Sequence, residues 1–144
     1  MLKQLNQYIT HLTDHGDLGR FVLRITIAGL MLFHGVAKLQ HGVGWIEEML
    51  VGYGLPSFIA YGVYVGEVLM PILVILGLFT RPAALVMFFN LIVATLMVGL
   101  PNIMTVTNVG AWGLETEALF ALGSLAIALL GSGRYAIAPS PEYR

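Results

Sequence analysis

Four long apolar segments divide the chain, separated by short polar or glycine-containing stretches. They cover about residues 20–39, 57–79, 82–100 and 113–131, and each is long enough to cross a bilayer, because a span needs about 20 mainly apolar residues. Only Thr80 and Arg81 separate the second and third segments, so these two form a tight antiparallel hairpin. The pattern predicts an all-α integral membrane protein, a four-helix antiparallel bundle that occupies residues 1–144 as a single transmembrane domain in the lipid bilayer.

Two shorter helices are predicted outside these segments. The first 19 residues contain apolar residues at three- and four-residue spacing among polar ones, at Leu2, Leu5, Ile9 and Leu12. This spacing is typical of a short amphipathic helix on the membrane face. A frayed polar tail is the alternative. This stretch is too polar for the apolar part of a signal peptide, so we expect it to remain in the mature chain. Residues 45–51 form a short amphipathic stretch between two glycines. This pattern predicts a second, interfacial helix between spans one and two.

The basic residues predict an orientation. Lys38 alone lies toward one side of the four-span arrangement, and the other lysine and arginine residues lie on the opposite side: Lys3, Arg20, Arg24, Arg81, Arg134 and Arg144. Because positive residues favour the cytoplasmic side, both termini are expected to be cytoplasmic.

The composition excludes several classes of function. Hydrophobic residues make up 58% of the chain and charged residues only 10%, against about 25% charged in soluble domains. The net charge is -1 and no two basic residues are adjacent, so nucleic acid is excluded as a partner. The chain has no cysteine, which excludes disulfides, thiolate nucleophiles and iron–sulfur ligation. A redox role would therefore require a bound cofactor or a partner subunit.

Polar residues inside the spans are the candidate chemical groups. With each span's midpoint at the bilayer centre and a rise of about 1.5 Å per residue, Glu67 and Asn90 fall near the centre and His34 and Glu117 about 6 to 7 Å toward the non-cytoplasmic side. Lys38 lies one turn beyond His34 on the same helix face. An unpaired ionised residue at the centre costs at least about 2.5 kcal/mol. We therefore expect one inward-facing cluster in which Lys38 or protonated His34 neutralises Glu67 or Glu117.

Each of these residues also has a structural interpretation. Lys38 could extend to the interface, and a lone His34 is more often a hydrogen-bonded core histidine than a ligand. For Asn90 we favour a polar contact that joins helices. Glu67 is hardest to explain structurally, because it is central and because Pro71, four residues later, frees a backbone carbonyl and can bend the helix around a cavity.

No metal or haem site is predicted. The four histidines are not distributed as axial ligands on facing helices. A divalent ion held by His34, Glu67 and Glu117 is a weaker alternative, because nothing in their spacing specifies such a site.

Several segments together resemble the DoxX family. RITIAGLMLFHGVAKL, with Arg24 and Lys38, is similar to the family's first span, and YGVYVGEVLMPILVILGLFTRPAAL resembles its glutamate-led second span. ALLGSGRYAIAP resembles the glycine-arginine-tyrosine ending, but Ala136 and Ala138 stand where relatives often have serine and aspartate. The resemblance covers about residues 20–138. It implies a four-helix protein of the bacterial inner (plasma) membrane with a link to quinone-dependent oxidoreductase systems.

Three functions are compatible with these features. The favoured hypothesis is a membrane component of a quinone-linked oxidoreductase or redox-stress system, a subunit rather than a stand-alone enzyme, that binds a quinone-like or other small apolar ligand. Lys38 and His34 would be donors, Glu67 the buried proton carrier and Glu117 a counter-charge, with an oxidoreductase partner subunit or a cofactor supplying electrons. The alternatives are a non-catalytic assembly or scaffold subunit, and a small proton-coupled transporter, which would need a homo-oligomer.

Overall fold

Six helical stretches form the chain, as described for residues 1–138 and Ser140 in a computed structural model. They are α1 (Leu2–Thr13), α2 (Gly16–His41), α3 (Gly44–Gly52), α4 (Ser57–Leu76), α5 (Thr80–Asn102) and α6 (Glu115–Leu130). Within this described part no strand forms, apart from one isolated antiparallel bridge between Val106 and Trp112. The prediction of an all-α membrane bundle is confirmed.

The four longest stretches close into a bundle in chain order. Helix α2 packs on α4 and α6, and α5 packs on the same two helices. Alanines and other small residues at the contacts let the backbones approach, as is usual between membrane helices. The buried apolar core comprises Ala28, Met31, Val74, Ala83, Ala84, Met87, Leu91, Ala121, Ile127 and Ala128.

Three of these helices are long and apolar enough to cross a membrane. They contain 26 residues in α2, 20 in α4 and 23 in α5. Helix α6 has 16 residues, or about 24 Å at the rise of an α-helix, which is shorter than the hydrocarbon core of about 30 Å and shorter than the predicted segment 113–131. Four complete crossings therefore stay a prediction.

The predicted hairpin between the second and third segments is observed. Helix α4 ends at Leu76 and is followed by Gly77, whose φ of 77° places it in the left-handed region that glycine adopts without strain. Helix α5 begins at Thr80, so three residues reverse the chain.

Two arginines each join one pair of bundle helices. Arg24 of α2 donates hydrogen bonds to the carbonyls of Val74 and Ile75, near the end of α4. Arg81 of α5 donates to the carbonyls of residues 128 and 129, near the end of α6, over 3.0 and 2.8 Å. The last carbonyls of a helix have no hydrogen-bond donor within that helix. Arg24 supplies donors to the last carbonyls of α4, and Arg81 supplies donors to those of α6.

The two short helices lie outside the main core. Helix α1 has no buried residue, in keeping with the predicted surface helix. Helix α3 packs Leu50 against Val43 and Ala60 in a small separate cluster over the start of α4.

Candidate functional site

An ion pair between α2 and α4 is the centre of the candidate site. Lys38 Nζ donates a hydrogen bond to Glu67 Oε2, and the side chains are 21% and 6% exposed. Lys38 lies in the last turn of α2, and its side chain points inward to the middle of α4. Among the described residues this is the only ion pair that joins two of the four bundle helices. Of the two glutamates predicted as partners of Lys38, the structure selects Glu67.

Asn90 of α5 completes the cluster from a third helix. Its Nδ2 lies 3.4 Å from Glu67 Oε1, so each carboxylate oxygen of Glu67 has a donor from a different helix. The adjacent Gly66 allows this approach, because a Cβ at that position would lie 2.7 Å from Asn90 Cβ. We name the group of Lys38, Glu67 and Asn90 the polar cluster.

The backbone of α4 is irregular at the cluster. Residues 65–69 form a π-type turn, and such turns occur frequently at functional sites. Pro71 has no N–H to donate to the Glu67 carbonyl four residues earlier. Gly35 of α2 packs directly on this carbonyl, since a Cβ there would lie 2.7 Å from its carbon atom. Helices α2 and α4 are therefore in close backbone contact where Lys38 and Glu67 pair.

His34 and Glu117 lie apart from this cluster. The His34 side chain is exposed, and its ring meets the Phe120 ring edge-on at a centroid distance of 5.5 Å. Glu117 is half-buried in the first turn of α6, where a negative charge is stabilised by the helix N-terminus. No hydrogen bond or ion pair within the described part of the chain links either residue to Lys38 or Glu67.

Sequence reasoning missed two contributors to this region, Tyr64 and Gly35. The Tyr64 hydroxyl donates to the Lys38 carbonyl over 3.2 Å, and its position three residues before Glu67, on the same helix face, was an available signal. Gly35 offered no such signal, because only helix packing shows what it touches. At the other end of the bundle, sequence reasoning also missed the burial of Arg24, which is 1% exposed. The available signal was a cation in an apolar span with no acidic residue three or four positions away.

Two cavities, each of about 390 Å³, lie at the other end of the bundle. Neither is lined by Lys38, Glu67 or Asn90. The described residues contain no group of three or more His, Asp and Glu side chains that could hold a metal ion.

Comparison with known proteins gives two matches. The sequence model of the DoxX family matches residues 19–100, which include all three residues of the polar cluster but not Glu117. A protein of Bacillus subtilis (strain 168) named "Putative oxidoreductase CatD" is 34% identical over 124 residues, which is 85% of this chain and 87% of the relative. No solved structure matches the chain.

Proposed function

Because the chain belongs to the DoxX family, we propose that it is a membrane component of a quinone-linked oxidoreductase or redox-stress system. In this proposal the polar cluster binds a small apolar or quinone-like ligand. The observation that carries it is the buried Lys38–Glu67 ion pair, because ionised residues within a membrane are costly and mark ligand or proton pathways by default. The printed name of the Bacillus subtilis relative supports the redox part.

The donors and acceptors of the cluster fit a ligand with carbonyl oxygens. Lys38 has three N–H donors and is partly exposed, so it can donate to a carbonyl oxygen while it remains paired with Glu67. Reduction of a quinone to a quinol takes up two electrons and two protons. In that chemistry Glu67 would be the buried proton carrier, in a site shielded from water. His34, exposed on the same helix one turn away, is the proposed second donor, and Glu117 the proposed counter-charge.

The electrons must come from outside this chain. It has no cysteine for a dithiol or an iron–sulfur centre, so we assign electron supply to an oxidoreductase partner subunit or a bound cofactor. We place the protein in the bacterial plasma membrane as a multi-pass protein with both termini cytoplasmic, on the distribution of its basic residues.

Native mass spectrometry from mild detergent, combined with lipid extraction, tests the proposal. The wild type should retain a quinone-like molecule, and Glu67→Gln and Lys38→Met should each lose it while remaining folded. Matched controls are Glu48→Gln and Lys3→Met, which remove the same charges at exposed positions and should retain the ligand. The same spectra report oligomeric state and any co-purifying subunit. A wild type free of such a molecule when isolated from quinone-containing membranes would contradict the proposal.

A scaffold role is the second candidate, and one observation favours it. Both carboxylate oxygens of Glu67 already have donors within the protein, so the cluster is complete without a ligand and would serve to specify helix packing, a role known for some buried polar groups. In that case both cluster variants would lose stability and the wild type would contain no ligand.

The alternative of a small proton-coupled transporter predicts a homo-oligomer and a proton flux into vesicles that depends on Glu67.

A further inference from the structure

A second polar site lies at the opposite end of the bundle from the polar cluster. One cavity of about 390 Å³ opens there where α2 and α5 begin and α6 ends. Three arginines and one aspartate contribute to its lining, which comprises Asp17, Arg20, Arg81, Leu130, Gly131, Ser132, Gly133 and Arg134. The charged side chains of this cavity therefore carry two more positive than negative charges.

The charges are held in place by defined contacts. Asp17 lies 3.0 Å from Arg20 Nη1 and 3.2 Å from Arg134 Nε, so one carboxylate is shared by two guanidinium groups. Arg81 is fixed by the carbonyls near the end of α6, and no carboxylate among the described residues forms an ion pair with it.

The loop after α6 leaves the arginines accessible from the cavity. Gly131 has a φ of 76°, and a Cβ there would lie 3.3 Å from the Arg81 Nε and Nη2 atoms. Gly133 has a φ of 70°, and a Cβ there would lie 2.9 Å from a carboxylate oxygen of Asp17. Side chains at these positions would fill the space beside the charged groups, which the two glycines leave open.

We propose that this cavity binds a phosphate group, supplied by the headgroup of an anionic phospholipid. The guanidinium fork matches phosphate oxygens in a bidentate geometry, and basic pockets between membrane helices bind anionic headgroups. The cavity lies at the ends of three apolar helices, which is the level of the lipid headgroups. Free phosphate has the same chemistry, so the experiment must separate the two sources.

The test is a lipid titration of delipidated, full-length protein by native mass spectrometry. Phosphatidylglycerol should bind about 25-fold more tightly than phosphatidylcholine, because each of the two excess positive charges contributes about fivefold. Arg20→Gln and Arg134→Gln should each weaken phosphatidylglycerol binding about fivefold. The control, Lys3→Gln, removes a positive charge from exposed α1 and should change binding less than twofold (about 0.4 kcal/mol).

Competition on the wild type identifies the source of the phosphate and needs no variant to fold. If millimolar inorganic phosphate leaves phosphatidylglycerol bound, the lipid is the ligand; if it displaces the lipid and binds by itself, the site takes free phosphate. Equal binding of phosphatidylcholine and phosphatidylglycerol would overturn the proposal. Unchanged binding in a folded Arg20→Gln/Arg134→Gln double variant would overturn it as well.

Discussion

Removing the cation of the polar cluster should destabilise the protein more than removing its anion. Lys38→Met replaces a lysine that is 21% exposed with an apolar side chain of similar length, and leaves Glu67, 6% exposed, without its counter-charge. Glu67→Gln leaves Lys38 unpaired instead. Lys38 lies in the last turn of α2, so its long side chain can turn outward to the interface. Glu67 lies in the middle of α4 and has no such route.

The magnitude follows from the cost of leaving a buried carboxylate without its counter-charge. Removal of one partner of a buried ion pair costs about 3 to 5 kcal/mol. Packing of the methionine offsets part of this, so we expect Lys38→Met to lose about 3 kcal/mol of the free energy of unfolding, in line with broken buried ion pairs. Glu67→Gln should lose about 1 kcal/mol, as for one hydrogen bond. The double variant Lys38→Met/Glu67→Gln should be more stable than Lys38→Met alone.

Reversible unfolding in mixed micelles, followed by tryptophan fluorescence and circular dichroism, measures these differences. The control is Lys3→Met at an exposed position of α1, which should stay within about 0.5 kcal/mol of the wild type. Two results would refute the reasoning: equal losses for the two single variants, or a double variant whose loss equals the sum of the single losses.

Three further predictions concern packing and topology. Gly35→Ala places a Cβ against the Glu67 carbonyl and should cost about 1 to 3 kcal/mol of unfolding free energy, whereas Gly29→Ala on the same helix meets nothing within 4 Å and should be neutral or stabilising. Arg24→Lys keeps the charge but loses the guanidinium group, which donates hydrogen bonds to two carbonyls near the end of α4 and to the Tyr135 carbonyl. The unfolding free energy should therefore fall by about 2 kcal/mol. Gln7→Cys should react with a membrane-impermeant thiol reagent from the cytoplasmic side and Asn108→Cys from the opposite side, with no background because the chain lacks cysteine; the reversed sides, or labelling of both variants from one side, would contradict the proposed orientation.

The sequence predicted which residues form the bundle but not how the helices are rotated. The helical stretches, the hairpin and the central depths of Glu67 and Asn90 follow from local apolar length and from the rise per residue. Of the expected cluster of four ionisable residues, Lys38 and Glu67 meet in the structure. They are joined by Asn90, which was predicted as a contact between helices, whereas His34 lies against Phe120 and Glu117 lies at the start of α6. Depth along a helix can be calculated from residue number, whereas the direction of a side chain around the axis depends on its neighbours.

What the sequence by itself determined is an all-helical membrane protein with unusually placed charges, because apolar length and the cost of isolated charge are properties of the chain. Only the tertiary structure decided that Lys38 pairs with Glu67 rather than with Glu117. The physical reason is the irregular turn at residues 65–69 and the close contact at Gly35. A π-type turn changes the helix face on which the following residues lie. Because Gly35 has no side chain, the backbones of α2 and α4 can come into contact there. These features set the rotation and spacing of α2 and α4, which apolar periodicity leaves undetermined.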